Sequence, residues 1–365
     1  MDTLYKAADQ FTPKGKVTDI REYGNGNINK TFLATTDSQN EKHFILQRIN
    51  THVFRKPELI MKNMSTFTGH VGKRLNKRPV NSSRRWEVPR VLPARDGQDR
   101  WIDPDGSFWR AISFINNAET FDTIKDIHHA GEVGYALGMF HNLLSDLSPD
   151  KLADTLEGFH ITPLYLRHYN EVINEHRTGK SSEVRHCIKF VNERNAWAHV
   201  LENAREQGRL YIRPIHGDPK INNIMMDRST GQAVSIVDLD TVKPGLVHYD
   251  IGDCLRSGCN TLGEETEQWE AVSFEPDLCR AILQGYSSIA KGFLTGNDYD
   301  YIFDSIRLIA FELGLRFFTD YLQGNVYFRA GHPEHNLSRA LVQFKLTESI
   351  ESQAAAIRNI IRDMR

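Results

Sequence analysis

The sequence lacks the features that mark secreted, zinc-binding or membrane-spanning proteins. Its 365 residues include four cysteines, and their scattered positions, Cys187, Cys254, Cys259 and Cys279, form no CxxC pair of a zinc knuckle. No apolar run reaches the roughly 20 residues of a membrane span, and the N-terminal MDTLYKAADQ lacks the apolar core of a signal peptide. We therefore expect reduced thiols in a cytoplasmic protein that binds no membrane.

Charge of either sign is not in excess. The chain carries 45 Lys and Arg against 47 Asp and Glu, a formal net charge of -2. Such a balance provides no general attraction to nucleic acid, because binding to phosphate backbones depends on clustered positive charge. A chain of this length usually forms about two domains. We therefore expect two domains and no nucleic-acid partner.

Two kinds of hydrophobic periodicity divide the chain. Residues 17–49 alternate apolar and polar side chains, and residues 100–115 form a second pair of alternating runs around a Pro-Asp-Gly turn. From His128 onward, apolar residues recur mostly with helical spacing. The pattern predicts an α+β protein with a β-rich N-terminal lobe over residues 1–115 and a mainly helical C-terminal lobe over residues 116–365.

A glycine-rich turn separates the first two predicted strands. Gly24, Asn25, Gly26 and Asn27 follow Tyr23, and glycines allow a backbone to approach a phosphate closely. Asn-Gly is also the commonest turn of an ordinary β-hairpin. The turn therefore predicts either a phosphate-binding loop or a plain hairpin, and the motif downstream favours the first.

The stretch from Ile215 to Asp240, IHGDPKINNIMMDRSTGQAVSIVDLD, contains the residues with the clearest chemistry. His216, Asp218 and Asn223 have the spacing H-x-D-x-x-x-x-N between two apolar segments, and Asp238 follows a β-rich run. One carboxylate can orient a substrate hydroxyl, while an amide oxygen and a second carboxylate can hold magnesium on nucleotide phosphates. The spacing therefore predicts a phosphoryl-transfer site.

The motif and its surroundings resemble a known enzyme family. HGDPKINN followed by IVDLD is similar to the catalytic segment of the aminoglycoside phosphotransferases and choline kinases. YGNGNINKTF, FHITP and ELGLRFFTDYLQGNVYF resemble the N-acetylhexosamine 1-kinases in particular. The resemblance implies a protein-kinase-like two-lobe fold. It also implies an ATP- and Mg²⁺-dependent transfer of phosphate to the anomeric hydroxyl of N-acetylglucosamine or N-acetylgalactosamine.

The resemblance also implies roles for individual residues. Asp218 faces the acceptor hydroxyl as the catalytic residue, Asn223 and Asp238 bind Mg²⁺, and Arg316 and Tyr327 bind the sugar together with Asp218. The nucleotide site comprises Gly24, Asn25, Gly26, Asn27, Gln47, Phe114 and Ile115. The expected partners are therefore a nucleotide and a small sugar, and the chain is expected to act as a monomer or homodimer.

Neighbouring side chains are expected to support this site. In a continuous strand, Asp240 would share a face with Asp238, where it could act as an outer metal ligand or as a salt-bridge partner. His216 is expected to brace the loop rather than to act as a base. Asp250 and Asp253 are expected to anchor the loop.

The N-terminal lobe departs from the wider kinase pattern. Gln47 stands where many kinases place a lysine that binds the nucleotide phosphates, and Arg48 points to the opposite face of the strand. An amide can hydrogen-bond a phosphate but adds no charge. Neutralisation of the phosphates is therefore expected to depend more heavily on the magnesium held by Asn223 and Asp238.

Alternative acceptors fit the same motif. In the helix predicted from Ser305 to Leu322, Glu312, Arg316 and Asp320 recur every four residues, either as an exposed ion-pair ladder or with Arg316 facing the substrate. Another sugar, homoserine, choline or an aminoglycoside remains an alternative acceptor, although Arg316 would repel a polycation. A non-catalytic nucleotide-binding protein is the third alternative, and the intact motif argues against it.

Overall fold

The computed structural model describes residues 2–12, 15–24, 28–38, 42–77, 84–175 and 181–365. Asn25, Gly26 and Asn27, which were assigned to the nucleotide site, lie outside these residues. An antiparallel sheet occupies the N-terminal region and helices dominate the remainder. The predicted α+β fold is therefore confirmed.

The N-terminal region is built on one antiparallel sheet. Its strands are β1 (Val17–Glu22), β2 (Lys30–Thr36), β3 (His43–Arg48), β4 (Val91–Leu92), β5 (Trp101–Ile102) and β6 (Phe108–Ser113). The order is β1-β2-β3-β6-β4, and β5 pairs with β6. The strands expected from the alternating pattern are thus present.

The two faces of this sheet have different partners. In β3, Phe44 and Leu46 pack in one apolar cluster with helix α1 (Asp2–Gln10). Ile45 and Gln47 alternate with them and line the cleft between the sheet and the helical region. The side-chain period of two therefore places Gln47 in the cleft.

Helix α2 (Pro57–Lys77) ties the sheet to the helical region. It begins with proline, whose missing N–H costs least at the first helical position. The buried side chain of Asn63 donates to the carbonyl oxygens of Ala153 and Val242, both at 2.8 Å, and accepts from the Ala153 N–H at 2.8 Å. These hydrogen bonds fix α2 against the C-terminal region.

The C-terminal region combines short strands with long helices. The strands are β7 (Ala118–Glu119), β8 (Arg213–Ile215), β9 (Ile224–Asp227), β10 (Ala233–Ile236) and β11 (Lys243–Gly245). The helices are α3 (Ile127–Leu144), α4 (Thr162–Glu175), α5 (Ser182–Arg194), α6 (Val200–Glu206), α7 (Val247–Gly258), α8 (Pro276–Ala290), α9 (Gly296–Leu322), α10 (His335–Ser352) and α11 (Ala354–Met364). None of the helices in the described ranges is long and apolar enough to cross a bilayer.

The chain passes from one sheet to another after β6. That strand belongs to the N-terminal sheet, whereas β7, the next along the chain, pairs with β9 in a three-stranded sheet of the C-terminal region. We therefore propose the lobe boundary between residues 115 and 116.

Helices α3 and α8 pack with their backbones in contact behind the cleft. A Cβ on Gly134 would lie 1.8 Å from the carbonyl oxygen of Ile282, and a Cβ on Gly285 would lie 1.9 Å from that of Gly131. No side chain larger than hydrogen fits at either position. The two glycines therefore set the distance between these helices.

Candidate active site

Residues 216–223, termed the motif loop, connect β8 to β9. Asp250 on α7 accepts the backbone N–H groups of His216 at 2.7 Å and Gly217 at 2.8 Å, and it accepts Nε2–H of His141 at 2.9 Å. Burial alone would raise the pKa of Asp250, but the hydrogen bond and attraction of His141 outweigh it and lower that pKa. The ionised Asp250 is positioned to anchor the motif loop, the role that the sequence suggested.

Gly217 and His216 explain the shape of the motif loop. Gly217 has φ of 88°, and a Cβ there would lie 2.7 Å from the carbonyl oxygen of Thr241. The buried His216 accepts the Asp218 N–H on Nδ1 at 3.2 Å, and its Nε2 donates to the carbonyl oxygen of Val237 at 2.9 Å. Burial lowers the pKa of His216, which keeps the ring neutral. His216 therefore braces the loop.

The Asp218 carboxylate lies where two cavities meet. Lys220 Nζ lies 3.0 Å from Asp218 Oδ2, and this attraction raises the pKa of Lys220. The Asn223 Nδ2 donates to the backbone carbonyl of Asp218 at 2.7 Å. Asn223 Oδ1 accepts no hydrogen bond from any residue that the structure describes, so this oxygen is free to bind a ligand.

Asp238 presents its carboxylate to the cleft. The residue has φ of 64° and ψ of 59°, which turns the chain sharply after β10. No described residue donates a hydrogen bond to Asp238 or forms an ion pair with it. Partial loss of water in the cleft, together with repulsion by Asp240 and Asp218, raises the pKa of Asp238 above its ordinary value, although the residue itself remains exposed. A cation beside this carboxylate would relieve the repulsion.

The expectation that Asp238 and Asp240 share one face of a strand is wrong. Strand β10 ends at Ile236, and Leu239–Thr241 forms a 3₁₀ turn, so the alternation of a strand does not apply. Asp240 is buried and forms an ion pair with Arg110 at 2.5 Å. Two roles were left open for Asp240, an outer metal ligand or a salt-bridge partner. In the structure it is a salt-bridge partner, of Arg110.

The available oxygens fit a magnesium ion. Asn223 Oδ1 and the Asp238 carboxylate are hard oxygen donors without protein partners in the described ranges, and their surroundings carry excess negative charge. Within those ranges, no group of three or more His, Cys, Asp or Glu side chains has the geometry of a complete metal cage. Mg²⁺ needs no such cage, since it usually keeps several waters and binds through one or two carboxylates and substrate phosphates.

A cavity of about 460 Å³ lies between the lobes and contains the predicted nucleotide residues that are described. Gly24, Gln47, Phe114 and Ile115 line it on one side, opposite the motif loop. The amide of Gln47 binds the protein on both sides, because Nε2 donates to Thr31 at 3.0 Å and Oε1 accepts from Arg110. Gln47 therefore lines this cavity while holding a neighbouring strand.

A smaller pocket of about 140 Å³ opens on the other side of Asp218 and contains Arg316 and Tyr327. The Arg316 guanidinium lies 5.1 Å from the ring centre of Phe159, 5.0 Å from that of Tyr165 and 5.4 Å from that of Phe328. Among the described residues, Arg316 has no hydrogen-bond acceptor and no ion-pair partner. Its N–H groups are therefore available to a bound molecule.

The alternative of an exposed ion-pair ladder on α9 is wrong. Glu312 is 1% exposed and Asp320 is 3% exposed, and neither pairs with Arg316. Glu312 accepts from His160 Nδ1 at 2.9 Å and from Thr162 Oγ1 at 2.6 Å. Both carboxylates are used to build the pocket, which leaves the cation of Arg316 without a counterion.

Asp320 shapes the loop that carries Tyr327. Its two oxygens accept the backbone N–H groups of Val326 at 2.9 Å, Tyr327 at 2.7 Å and Phe328 at 3.0 Å. Asn336 Nδ2 adds a fourth hydrogen bond at 2.9 Å. One buried carboxylate thus fixes the segment that forms a wall of the smaller pocket.

Sequence reasoning missed Arg110 and Asn29, both of which bind Asp240. One signal was available for Arg110, because a charged residue inside the apolar strand FWRAIS requires a buried partner. The identity of that partner depends on strand pairing and lobe packing.

Comparison with known proteins identifies the family of this chain. The model of the phosphotransferase enzyme family matches residues 19–288, which is more than half of the chain. An aminopropanol kinase associated with a microcompartment has a similar structure, with a TM-score of 0.65, 16% sequence identity, and coverage of 98% of this chain and 99% of that one.

Two further solved structures have the same fold. An aminoglycoside phosphotransferase from Alicyclobacillus acidocaldarius has a TM-score of 0.64 at 13% identity, covering 98% of this chain and 96% of its own. A choline kinase from Cryptosporidium parvum has a TM-score of 0.59 at 13% identity, covering 94% and 91%. The chain therefore belongs to the phosphotransferase enzyme family.

Proposed function

We propose that the protein transfers the terminal phosphoryl group of ATP, with Mg²⁺, to the anomeric hydroxyl of an N-acetylhexosamine. The observation that carries the proposal is the position of Arg316, a cation without a counterion among the described residues, in the pocket that opens at Asp218. Its guanidinium can donate two hydrogen bonds in a fixed geometry to ring hydroxyls or to an acetamido oxygen.

The charge of the pocket argues against a cationic acceptor. The aminopropanol, choline and ethanolamine kinases of similar fold are named for substrates that carry a positive charge. In the present pocket, Asp253 already pairs with Arg256 at 2.7 Å, and Asp218 pairs with Lys220. Arg316 therefore contributes a positive charge that would repel a quaternary ammonium or an aminoglycoside.

The walls of the smaller pocket favour a sugar ring as the acceptor. Phe159, Tyr327 and Phe328 supply aromatic surface on which the apolar face of a sugar can pack. This surface supports a sugar acceptor.

The residues around the two cavities support a direct in-line transfer. In this mechanism, Asp218 orients the acceptor hydroxyl and takes its proton late in a loose transition state. Asn223 and Asp238 would hold Mg²⁺, which would supply positive charge to the nucleotide phosphates. Arg316 and Tyr327 fix the acceptor, so catalysis rests on positioning and electrostatics, with no covalent intermediate.

An acceptor screen tests the proposal. ADP release should be measured with N-acetylglucosamine, N-acetylgalactosamine, glucose, galactose, homoserine, choline and kanamycin as single acceptors. The expected result is a higher kcat/KM for an N-acetylhexosamine than for the other compounds, with phosphorus NMR locating the phosphate on the anomeric oxygen. Preference for choline, homoserine or kanamycin would reject the sugar assignment. The absence of turnover with any acceptor would favour a nucleotide-binding role.

A further inference from the structure

Arg110 on β6 is a buried cation opposite the position where many kinases carry their lysine. It pairs directly with Gln47 of β3 across the sheet and is 1% exposed. Its Nε and Nη2 donate to Gln47 Oε1 at 2.9 and 2.7 Å, and its Nη1 contacts Met64 Sδ on α2 at 2.9 Å. The glutamine thus orients an arginine supplied by the neighbouring strand.

The counterion of Arg110 comes from the other lobe. Asp240 Oδ1 lies 2.5 Å from Arg110 Nη2, and Asp240 Oδ2 accepts from Asn29 Nδ2 at 2.6 Å. Asn29 is itself fixed, because its Oδ1 accepts the Asn50 N–H at 2.8 Å. Two side chains of the N-terminal lobe therefore hold one carboxylate of the C-terminal lobe.

Asp240 belongs to the same sharp turn as Asp238. The left-handed residue Asp238 leads directly into the 3₁₀ turn that contains Asp240, so a displacement of one residue moves the other. The positive charge of Arg110 also offsets part of the repulsion that Asp240 and Asp218 exert on Asp238. The ion pair thus acts on both the position and the electrostatics of the predicted metal ligand.

We propose that Arg110 is a positioning residue for the metal-bound nucleotide: by binding Asp240 across the cleft, it holds the turn that aims Asp238 at the metal. This inference rests on the proposed function in that it takes Asp238 as a magnesium ligand, but it does not depend on the acceptor. Arg110 thereby gives this chain a cross-lobe contact in place of a lysine on β3. Lysine at position 110 could meet Asp240 but could not bind Gln47 with the same fixed fork.

Nucleotide binding, measured by titration calorimetry with Mg·ADP, tests the proposal independently of turnover. The variants are Arg110→Met, Arg110→Lys, Asp240→Asn and the double variant Arg110→Met/Asp240→Asn. We expect Arg110→Met to weaken Mg·ADP binding by ~10- to 100-fold, the range found when a residue supporting a metal ligand is removed. Arg110→Lys should recover part of the affinity. The double variant should bind Mg·ADP no more weakly than Arg110→Met, because both substitutions break the same ion pair between Arg110 and Asp240.

The pair formed by Arg194 and Glu351, at 2.8 Å between α5 and α10, provides a matched control away from the cleft. Arg194→Met should leave Mg·ADP affinity unchanged even where it lowers Tm. Unchanged affinity in folded Arg110→Met would overturn the inference while leaving the proposed function standing. Wild-type protein that binds ADP with no dependence on Mg²⁺ would overturn both, whereas failure of every sugar acceptor would overturn only the sugar assignment.

Discussion

The side-chain amide of Asn223 donates a hydrogen bond to the backbone carbonyl of Asp218 at 2.7 Å. This bond fixes the separation between the residue proposed for the acceptor hydroxyl and one proposed for the metal. A fixed separation matters because phosphoryl transfer depends mainly on positioning and charge stabilisation. Substitutions at the two residues should nevertheless have different effects.

Asp218→Asn should lower kcat by ~10²- to 10⁴-fold, the contribution typical of a positioned acid or base. Asparagine keeps the size of the side chain but cannot accept the hydroxyl proton. Calorimetric titration should show little change in Mg·ADP affinity, because the carboxylate serves the acceptor. A nearly unchanged kcat would contradict this role for Asp218.

Asp238→Asn and Asn223→Ala should each weaken Mg²⁺-dependent ADP binding by at least ~10-fold, because each removes an oxygen donor or its charge from the metal. Titrations over a range of Mg²⁺ concentrations measure this effect. The control is Asn170→Ala, since Asn170 is exposed on α4 and lines neither cavity. Equal losses for Asn170→Ala and Asn223→Ala would argue against a metal ligand.

Arg316→Met should raise KM for the sugar by ~10- to 100-fold, the equivalent of one hydrogen bond from a charged donor. KM for ATP should change little, because Arg316 lies in the smaller pocket. Arg307→Met on the same helix is the control, since Arg307 pairs with Asp304 outside both cavities. A parallel rise of both KM values would reject Arg316 as a sugar ligand.

Asp320→Asn should release the segment that carries Tyr327. The two oxygens of Asp320 accept four hydrogen bonds, from three backbone N–H groups and from Asn336, whereas asparagine has only one acceptor oxygen. We therefore expect the free energy of unfolding to fall by about 1–3 kcal/mol. Activity assays should show a higher KM for sugar with KM for ATP preserved. Asp304→Asn, on the same helix, should leave both constants unchanged. An equal effect of the two variants on sugar KM would contradict this role.

The buried pair of His160 and Glu312 should make stability depend on pH. Burial alone would lower the pKa of His160, but attraction to Glu312 outweighs it and raises that pKa, while the pKa of Glu312 is lowered. The raised His160 pKa contributes stability that is fully present below the unfolded value of about 6.5 and is lost as pH rises through the folded value. The Glu312 contribution is present above about pH 4.3 and is lost as pH falls through its folded pKa.

Urea unfolding of wild type and His160→Gln at several pH values checks this expectation. At about pH 6, the wild type should be more stable by roughly 1.5–3 kcal/mol, the value of a hydrogen bond to a charged group. The difference should shrink as the solution becomes alkaline. A difference that stays constant with pH would show that His160 is not protonated in the folded protein.

The features that sequence reasoning predicted are local ones. His216, Asp218, Asn223 and Asp238 lie within one short stretch, so their spacing alone indicates a common site. The position of Gln47 in the cleft likewise follows from the alternation of side chains along β3. Such periods and spacings can be interpreted without knowledge of the tertiary structure, because each depends on a few consecutive residues.

The features that sequence reasoning missed depend on contacts between distant segments. Asp240 was expected on the face of Asp238, but the left-handed conformation of Asp238 ends the alternation. Arg110 meets Asp240 only after β6 joins β3 and the two lobes close on each other. Neither the turn conformation nor the lobe packing is encoded in a short pattern.

The glycines between α3 and α8 bear on the acceptor site through a chain of hydrogen bonds. Tyr286 on α8 contacts His141 Nδ1 on α3 at 2.9 Å, and His141 Nε2 donates to Asp250, which holds the motif loop. A methyl group at Gly134 or Gly285 would force these helices apart and would disturb the hydrogen bond between Tyr286 and His141. The orientation of Asp218 therefore depends on two glycines that line neither cavity. Directed evolution of this protein should find no tolerated substitution at either glycine.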